Sequence, residues 1–266
     1  MNEPDAIFCP VRCLLEGKFA MDLKLMGKSA IVTGSTAGIG LAIARRLAEE
    51  GVAVTITGRS QAKLDTAYTG MNAAIDVVDE IKEAGGTAIS VPADLAEPNA
   101  AETIVAEATS TFGAVDMLIN NAGTNTTARS VRTTDAASMD YVMRVNVTGP
   151  MLLTQAVLPG MLERGHGTII TVGSYAAINA SPMAGAAYAA SKSAVANLME
   201  NINHEFRNRG VRACTVYPGE VDTPIMDGRA LVPDRAARET MMQATDIAEI
   251  ILFCARLPQR ALVEDV

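Results

Sequence analysis

From Ser29 onward, short β-branched runs alternate with longer stretches whose apolar residues recur at helical spacing, the pattern of βα units laid on a parallel sheet. Strands are predicted at 29–33, 53–57, 88–92, 117–120, 168–172 and 212–217. These runs are continuously apolar rather than alternating, as expected of strands covered by helices on both faces. The first helix is expected over 38–50, with Ile39, Ile43 and Leu47 on one face, Arg45 and Arg46 turned to solvent and Gly51 ending it. A late helix is expected over 246–256, with Thr245 as its N-cap and Pro258 just past its end. Residues 1–24 do not join the rhythm and read as a loosely attached N-terminal extension, with Met21 placed as an alternative start. A seventh strand begins at 262–266, where the sequence stops, and both ends are expected to be mobile.

No repeat, low-complexity tract or linker interrupts residues 25–266, so the expectation is one α/β domain with a Rossmann-type, doubly wound parallel sheet. Its 266 residues are 49% hydrophobic, enough for a sizeable core. The formal charge of −8, from 30 acidic and 22 basic residues, leaves no basic surplus for nucleic acid or anionic lipid, and neither partner is expected. Apolar runs such as 250–255 fall far short of the roughly 18 residues that a membrane helix needs. Residues 6–15 are moderately apolar, but Glu3, Asp5 and Arg12 do not suit a secretion signal, and a cytoplasmic location is expected. Cys9, Cys13, Cys214 and Cys254 show no paired spacing and the only histidines are His166 and His204, which argues for reduced thiols and no metal site.

The strongest local signal is Thr33-Gly34-Ser35-Thr36-Ala37-Gly38-Ile39-Gly40, set between the first strand and the first helix. Gly34 permits a tight turn, Gly38 lets a phosphate approach backbone N–H groups at the positive helix end, and Gly40 allows close helix packing. This is a pyrophosphate cradle, to be weighed against a glycine-rich turn that binds nothing. The second strand ends Thr57-Gly58-Arg59-Ser60, with no carboxylate to hold the ribose hydroxyls of NAD and a guanidinium suited to the extra phosphate of NADP. NADP is therefore the expected cofactor and NAD the alternative. Ser35, Thr36 and Ser60 are further donors, Ala37 withholds a second cation, and a merely solvated Arg59 is the plainer reading.

Tyr188 and Lys192 stand four residues apart in a small-residue helix start, which puts both on one face. Alone, such a pair is an ordinary helix-surface feature. A phenol titrates near pH 10 in water and becomes an acid or base only where cations favour its anion, which an ammonium and a bound nicotinamide would do.

Taken together, these residues resemble the short-chain dehydrogenase/reductase family over about residues 24–260. The motifs fall in the family's order: the TGxxxGIG turn at Thr33–Gly40, Asp94, Asn120-Asn121-Ala122-Gly123, Asn146, Ser174, the Tyr188/Lys192 pair, then Pro218-Gly219 and Thr223. By that resemblance Tyr188 would protonate a carbonyl oxygen as hydride arrives, or remove the alcohol proton in reverse, and Ser174 would hydrogen-bond the same oxygen. Lys192 would hold the nicotinamide ribose and Asn146 a water linking the lysine to solvent. Asp94 and Leu95, with Asn121, Ala122 and Gly123, would line the adenine and ribose pocket; Pro218, Gly219, Val221 and Thr223 would lie near the carboxamide. The resemblance also implies a homodimer or homotetramer through the helices around 136–164 and 188–209.

Ser174 lies one residue farther from Tyr188 than is usual in the family, a difference that a loop absorbs. The stretch from Arg59 to Gly85 is longer than usual and predicts a lengthened or broken helix around Gly70, and the end of the chain lacks the family's usual tail.

Specificity is expected in the loops after Gly123, Ser174 and Gly219. The last, 221–242, is long enough to form a lid and carries Met226, Leu231, Val232, Met241 and Met242, which with Tyr175, Ile178 and Met183 would make an apolar wall or merely pack the lid down. Asn125, Thr126, Thr127, Arg129 and Arg132 supply polarity opposite, where a solvated loop is the simpler reading. The leading function is an NADP-dependent carbonyl reductase or secondary-alcohol dehydrogenase acting on a small-molecule ketone, aldehyde or alcohol. A 3-oxoacyl-thioester reductase is the alternative, and a non-catalytic NADP-binding sensor a third reading.

Overall fold

A row of side chains formed by Ile56, Val32, Ile119, Ile170 and Cys214 runs in register across five neighbouring strands. One residue earlier along each strand, Thr55, Ile31, Leu118, Ile169 and Ala213 make the matching row on the opposite face. Every one of these side chains is buried, because both faces are covered by helices. The computed structural model describes residues 25–59, 72–228 and 232–266.

The strands are β1 (Ser29–Val32), β2 (Ala53–Gly58), β3 (Thr87–Pro92), β4 (Met117–Asn120), β5 (Gly167–Val172) and β6 (Val211–Val216). They pair in parallel in the order β3-β2-β1-β4-β5-β6, a six-stranded Rossmann-like sheet, as the patterning predicts. Helices α1 (Gly38–Glu49), α2 (Asn72–Glu83) and, after the short α7 (Arg235–Glu239), α8 (Ala244–Arg256) contribute to one core cluster. The other cluster draws on α3 (Ala100–Phe112), α5 (Gly149–Arg164) and α6 (Ala186–Phe206). The order reverses between β1 and β4, so the loops after these two strands part and open a crevice at the carboxyl edge. No helix of the described residues is long and apolar enough to cross a membrane.

Several expectations change. α8 begins earlier than predicted, capped by Gln243 rather than Thr245, because Gln243 and Asp246 form a reciprocal capping box in which the Gln243 N–H donates 2.7 Å to Asp246 Oδ2. Arg45 is exposed as expected and pairs at the surface with Glu80, whereas Arg46 is partly covered and pairs with Glu49, Glu50 and Glu249, which ties α1 to α8. The helical stretch 136–164 is unbroken but not uniformly α-helical, since α4 (Ala136–Met143) passes into a π-helical segment, Arg144–Thr148, before α5. The extension 1–24, with Cys9, Cys13 and Met21, and the positions Ser60, Gly70 and Leu231 lie outside the described residues.

At the far edge, residues 264–266 run alongside β6, with Thr215 N–H donating 2.8 Å to Glu264 O and Tyr217 N–H 2.7 Å to Val266 O. Arg212 fastens this end of the molecule. Its guanidinium donates to the carbonyls of Cys254, Ala255, Pro258 and Ala261 and to Thr168 Oγ1, at 3.0 to 3.1 Å. Burial presses the Arg212 guanidinium below its ordinary pKa, and the ring of carbonyl dipoles is what holds a cation there.

Candidate active site

The turn after β1 is held from below by the loop after β4. Thr33 Oγ1 accepts the N–H groups of Asn121 and Ala122, each at 3.0 Å, while Asn121 Nδ2 donates to the carbonyls of Thr33 at 2.8 Å and Gly34 at 3.1 Å. Gly34 has φ +62° and a Cβ there would lie 2.9 Å from Ala122 Cα, so the turn closes only around glycine. At Gly40 a Cβ would come within 2.3 Å of Gly34 O and 2.4 Å of Asn121 Nδ2, so α1 seats directly on its own entry turn. Gly40 is thus a packing position and does not line the cleft. Gly34, Thr36, Gly38 and Ile39 do line it, at the amino end of α1 where N–H groups and the helix dipole suit an anion.

Ser35 is not available to a ligand. Its hydroxyl donates 2.7 Å to Val32 O and accepts the Thr57 N–H at 3.0 Å, and its own N–H donates to Thr57 O at 3.0 Å, so the residue is a fully buried clasp between β1 and β2. Thr36 packs over Gly58 and faces the cleft beside Arg59, which is exposed. Asp94 accepts the Ala96 N–H at 2.9 Å and, with Leu95, closes the same end. A side recess of about 280 Å³ opens there between Arg59 and Thr103.

At the other end α6 delivers Tyr188 and Lys192. Lys192 is 4% exposed and donates 2.8 Å to Val172 O at the end of β5, and its Nζ stands 5.6 Å from the centre of the Tyr188 ring. Two residues past that carbonyl, Ser174 caps the short turn Tyr175–Ala177, its Oγ accepting the Ala176 N–H at 3.2 Å. Among the described residues no bond donated by this hydroxyl is seen, so its single proton can meet a partner in the cleft. Gly123 runs between Lys192 and Asn146: a Cβ there would lie 3.4 Å from Lys192 Nζ and 3.7 Å from Asn146 Oδ1. Asn146, in the π segment, accepts the Thr124 N–H at 2.8 Å and donates to Thr124 O and to Ser191 Oγ, each at 2.9 Å.

One cleft of about 530 Å³ takes in both ends, from Arg59 and Asp94 to Ser174, Tyr188 and Lys192. Ala122, Gly123, Pro218, Gly219, Val221 and Thr223 lie along it, and the Thr223 side chain meets the turn at Gly38, 3.4 Å from where a Cβ would stand. The walls beyond Tyr188 are apolar, with Tyr141, Tyr175, Met183 and Ile225 all exposed at the mouth and Met226 buried beneath. Of the polar loop, Asn125 and Arg129 reach the cleft, but both donate to Ala184 O, at 2.9 and 3.1 Å, and so brace the entry to α6. Thr126, Thr127, Arg132, Ile178 and Val232 do not line it, and Met242 packs instead against the core. Sequence reasoning missed Tyr141, Glu220 and Ser191; Ser191 alone carried a signal, as a hydroxyl one residue before the lysine.

The comparisons with known proteins agree with this geometry. The family described as short chain dehydrogenase matches residues 28–231. The chain belongs to that family. A 2-(R)-hydroxypropyl-CoM dehydrogenase of Xanthobacter autotrophicus is 35% identical over 240 residues, covering 86% of this chain and 92% of that protein. A short chain dehydrogenase of Pseudocercospora fijiensis is 37% identical over 203 residues, 76% of this chain, and the chain spans 62% of that relative. Among solved structures, a metagenomic short-chain oxidoreductase in complex with NADP aligns at 30% identity and a TM-score of 0.75, over 91% of this chain and 96% of that one. As a short-chain dehydrogenase, the protein is an NAD(P)-dependent oxidoreductase acting on small molecules. The cradle fits that cofactor on its own terms, because Gly34 and Gly38 hold the positive φ that side chains rarely adopt and line the cleft at the amino end of α1, where N–H groups suit a pyrophosphate.

Proposed function

We propose that this short-chain dehydrogenase is an NADP-preferring carbonyl reductase or secondary-alcohol dehydrogenase, with Tyr188 as its general acid and base. The observation that carries the reading is a single cleft joining an anion-suited glycine turn and Arg59 to a hydroxyl, a phenol and a buried ammonium. Gly34, Thr36, Gly38 and Ile39 would hold the pyrophosphate, Arg59 the 2′-phosphate, and Asp94, Leu95 and Ala122 the adenosine end. Pro218, Gly219, Val221 and Thr223 would border the carboxamide. When bound, the nicotinamide supplies or accepts the hydride.

The chain's own residues do the rest. Ser174 donates its free proton to the carbonyl oxygen and fixes it beside Tyr188, which delivers the proton that completes the alcohol. Lys192 holds the ribose and places a positive charge behind the phenol as it becomes phenolate. Asn146 keeps the Gly123–Thr124 backbone in place next to that ammonium. The apolar mouth suits an uncharged, partly apolar ketone or aldehyde.

Two comparisons support the reading: one relative is named as the dehydrogenase of a hydroxypropyl compound, and a similar solved structure is a complex with NADP. A carrier-bound 3-oxoacyl thioester is less suited, because the mouth offers Tyr175, Met183 and Ile225 where an acidic partner would need cations, and the net charge is −8. The test is a panel of neutral ketones, aldehydes and 3-oxoacyl thioesters with NADPH and with NADH, followed at the nicotinamide absorbance. Turnover of neutral carbonyls with NADPH preferred is expected; preference for thioesters, or for NADH, overturns the corresponding part.

A further inference from the structure

Asn146 has both amide protons engaged and its oxygen accepting one bond. Its oxygen accepts the Thr124 N–H, and its two N–H bonds go to Thr124 O and Ser191 Oγ. Ser191 in turn donates 2.7 Å to the carbonyl of Tyr188, three residues back on α6. A hydroxyl has one proton, so with that proton on Tyr188 O the Ser191 oxygen meets Asn146 only as an acceptor. The amide orientation follows: turning Asn146 over would set its oxygen against the Thr124 carbonyl and its NH₂ against the Thr124 N–H. Ser191 is fully buried and Asn146 is 2% exposed, so a lost partner is not replaced from bulk water.

This chain of bonds joins three separate segments around Lys192: the loop at Thr124, the π-helical segment at Asn146 and the first turns of α6. A π-helical segment inside an α-helix is rare and is frequently found at functional sites. Ser191 is the one side chain that hydrogen-bonds the Asn146 amide from α6, the helix that also carries Tyr188 and Lys192.

We propose that Ser191 is a positioning residue, a strut that locks the Asn146 amide and through it the register of α6 against the segment at Gly123–Thr124, so that Tyr188 and Lys192 are presented at a fixed depth in the cleft. The inference rests on the catalytic reading of Tyr188 and Lys192. It differs from simple packing because it requires two hydrogen bonds of defined direction and not only the volume of a serine.

The test compares Ser191→Ala, Ser191→Cys and Ser191→Thr by two measurements. In the full chain without nucleotide, the Asn146 side-chain amide, assigned by its loss in Asn146→Asp, is followed by ¹H–¹⁵N NMR; both protons exchange slowly in the parent. In the Ala and Cys variants one proton is expected to exchange at least about tenfold faster, whereas Thr, which keeps the hydroxyl, retains the slow exchange. In turnover, Ala and Cys lower kcat about tenfold with KM for the carbonyl within about twofold, and Thr recovers most of the loss. Cys fills the serine's space, so it decides the matter if Ala does not fold. A Cys variant that matches the parent in amide exchange and kcat overturns the proposal, as does a loss that Thr shares equally with Ala. Should the parent turn over no carbonyl, the reading of Tyr188 fails, while the amide exchange still decides whether Ser191 is the strut.

Discussion

Lys192 holds its ammonium 5.6 Å from the centre of the Tyr188 ring while donating 2.8 Å to the carbonyl of Val172. The end of β5 therefore sets two functional groups at once, because Val172 anchors the lysine and Ser174 follows two residues later on the same chain. At 4% exposure Lys192 is held inside the fold rather than in bulk water. The strand end, the lysine and the phenol form one unit whose geometry the sheet imposes.

The proposed preference for NADP rests on Arg59, which lines the cleft just past β2. Replacing it by Asp removes a charge-assisted hydrogen bond worth about 1.5–3 kcal/mol and adds repulsion, so NADPH affinity is expected to fall at least about tenfold while NADH affinity holds or rises. Fluorescence titrations with both nucleotides measure the ratio. An unchanged ratio would mean that Arg59 is only solvated.

Gly34→Ala tests the cradle. At φ +62°, with the new Cβ 2.9 Å from Ala122 Cα, the backbone strain and the overlap together are expected to cost about 2–4 kcal/mol. That corresponds to a Tm lower by roughly 5–10 °C, with nucleotide binding weakened as well. Full retention of both would remove the argument that only glycine fits this turn.

Burial, and then its hydrogen bond with Asp265, push the Tyr217 phenol up to about 12. In the unfolded chain a phenol titrates near 10, so the folded state keeps its proton longer. The resulting stabilisation is complete below about pH 10 and is lost as the pH rises from about 10 through 12. Urea midpoints across that window are expected to fall more steeply for the parent than for Tyr217→Phe. Parallel slopes would contradict the assignment.

Much of this was legible because parallel strands buried on both faces read as unbroken apolar runs, and the six predicted strands form one parallel, Rossmann-like sheet. The family motifs, too, lie in sequence order and need no knowledge of contacts. Directions of side chains are another matter. Ser35 sits in the glycine turn like a ligand donor, yet its hydroxyl spans β1 and β2, a relation between residues 22 positions apart that no local pattern reveals. Thr245 is the better cap by residue type, but the pairing of Gln243 with Asp246 moves the helix start. The π-helical segment at Asn146 has a helical sequence pattern, and its partners Thr124 and Ser191 are distant in the chain.

The most direct measurement of the central claim separates binding from chemistry in Tyr188→Phe. The substitution removes one hydroxyl and leaves the ring beside Lys192 in place. The account predicts NADPH binding within about threefold of the parent and carbonyl turnover lower by about 10²–10⁴-fold, the range for a positioned acid or base. Turnover within about tenfold of the parent would contradict it, and a different group would then have to move the proton.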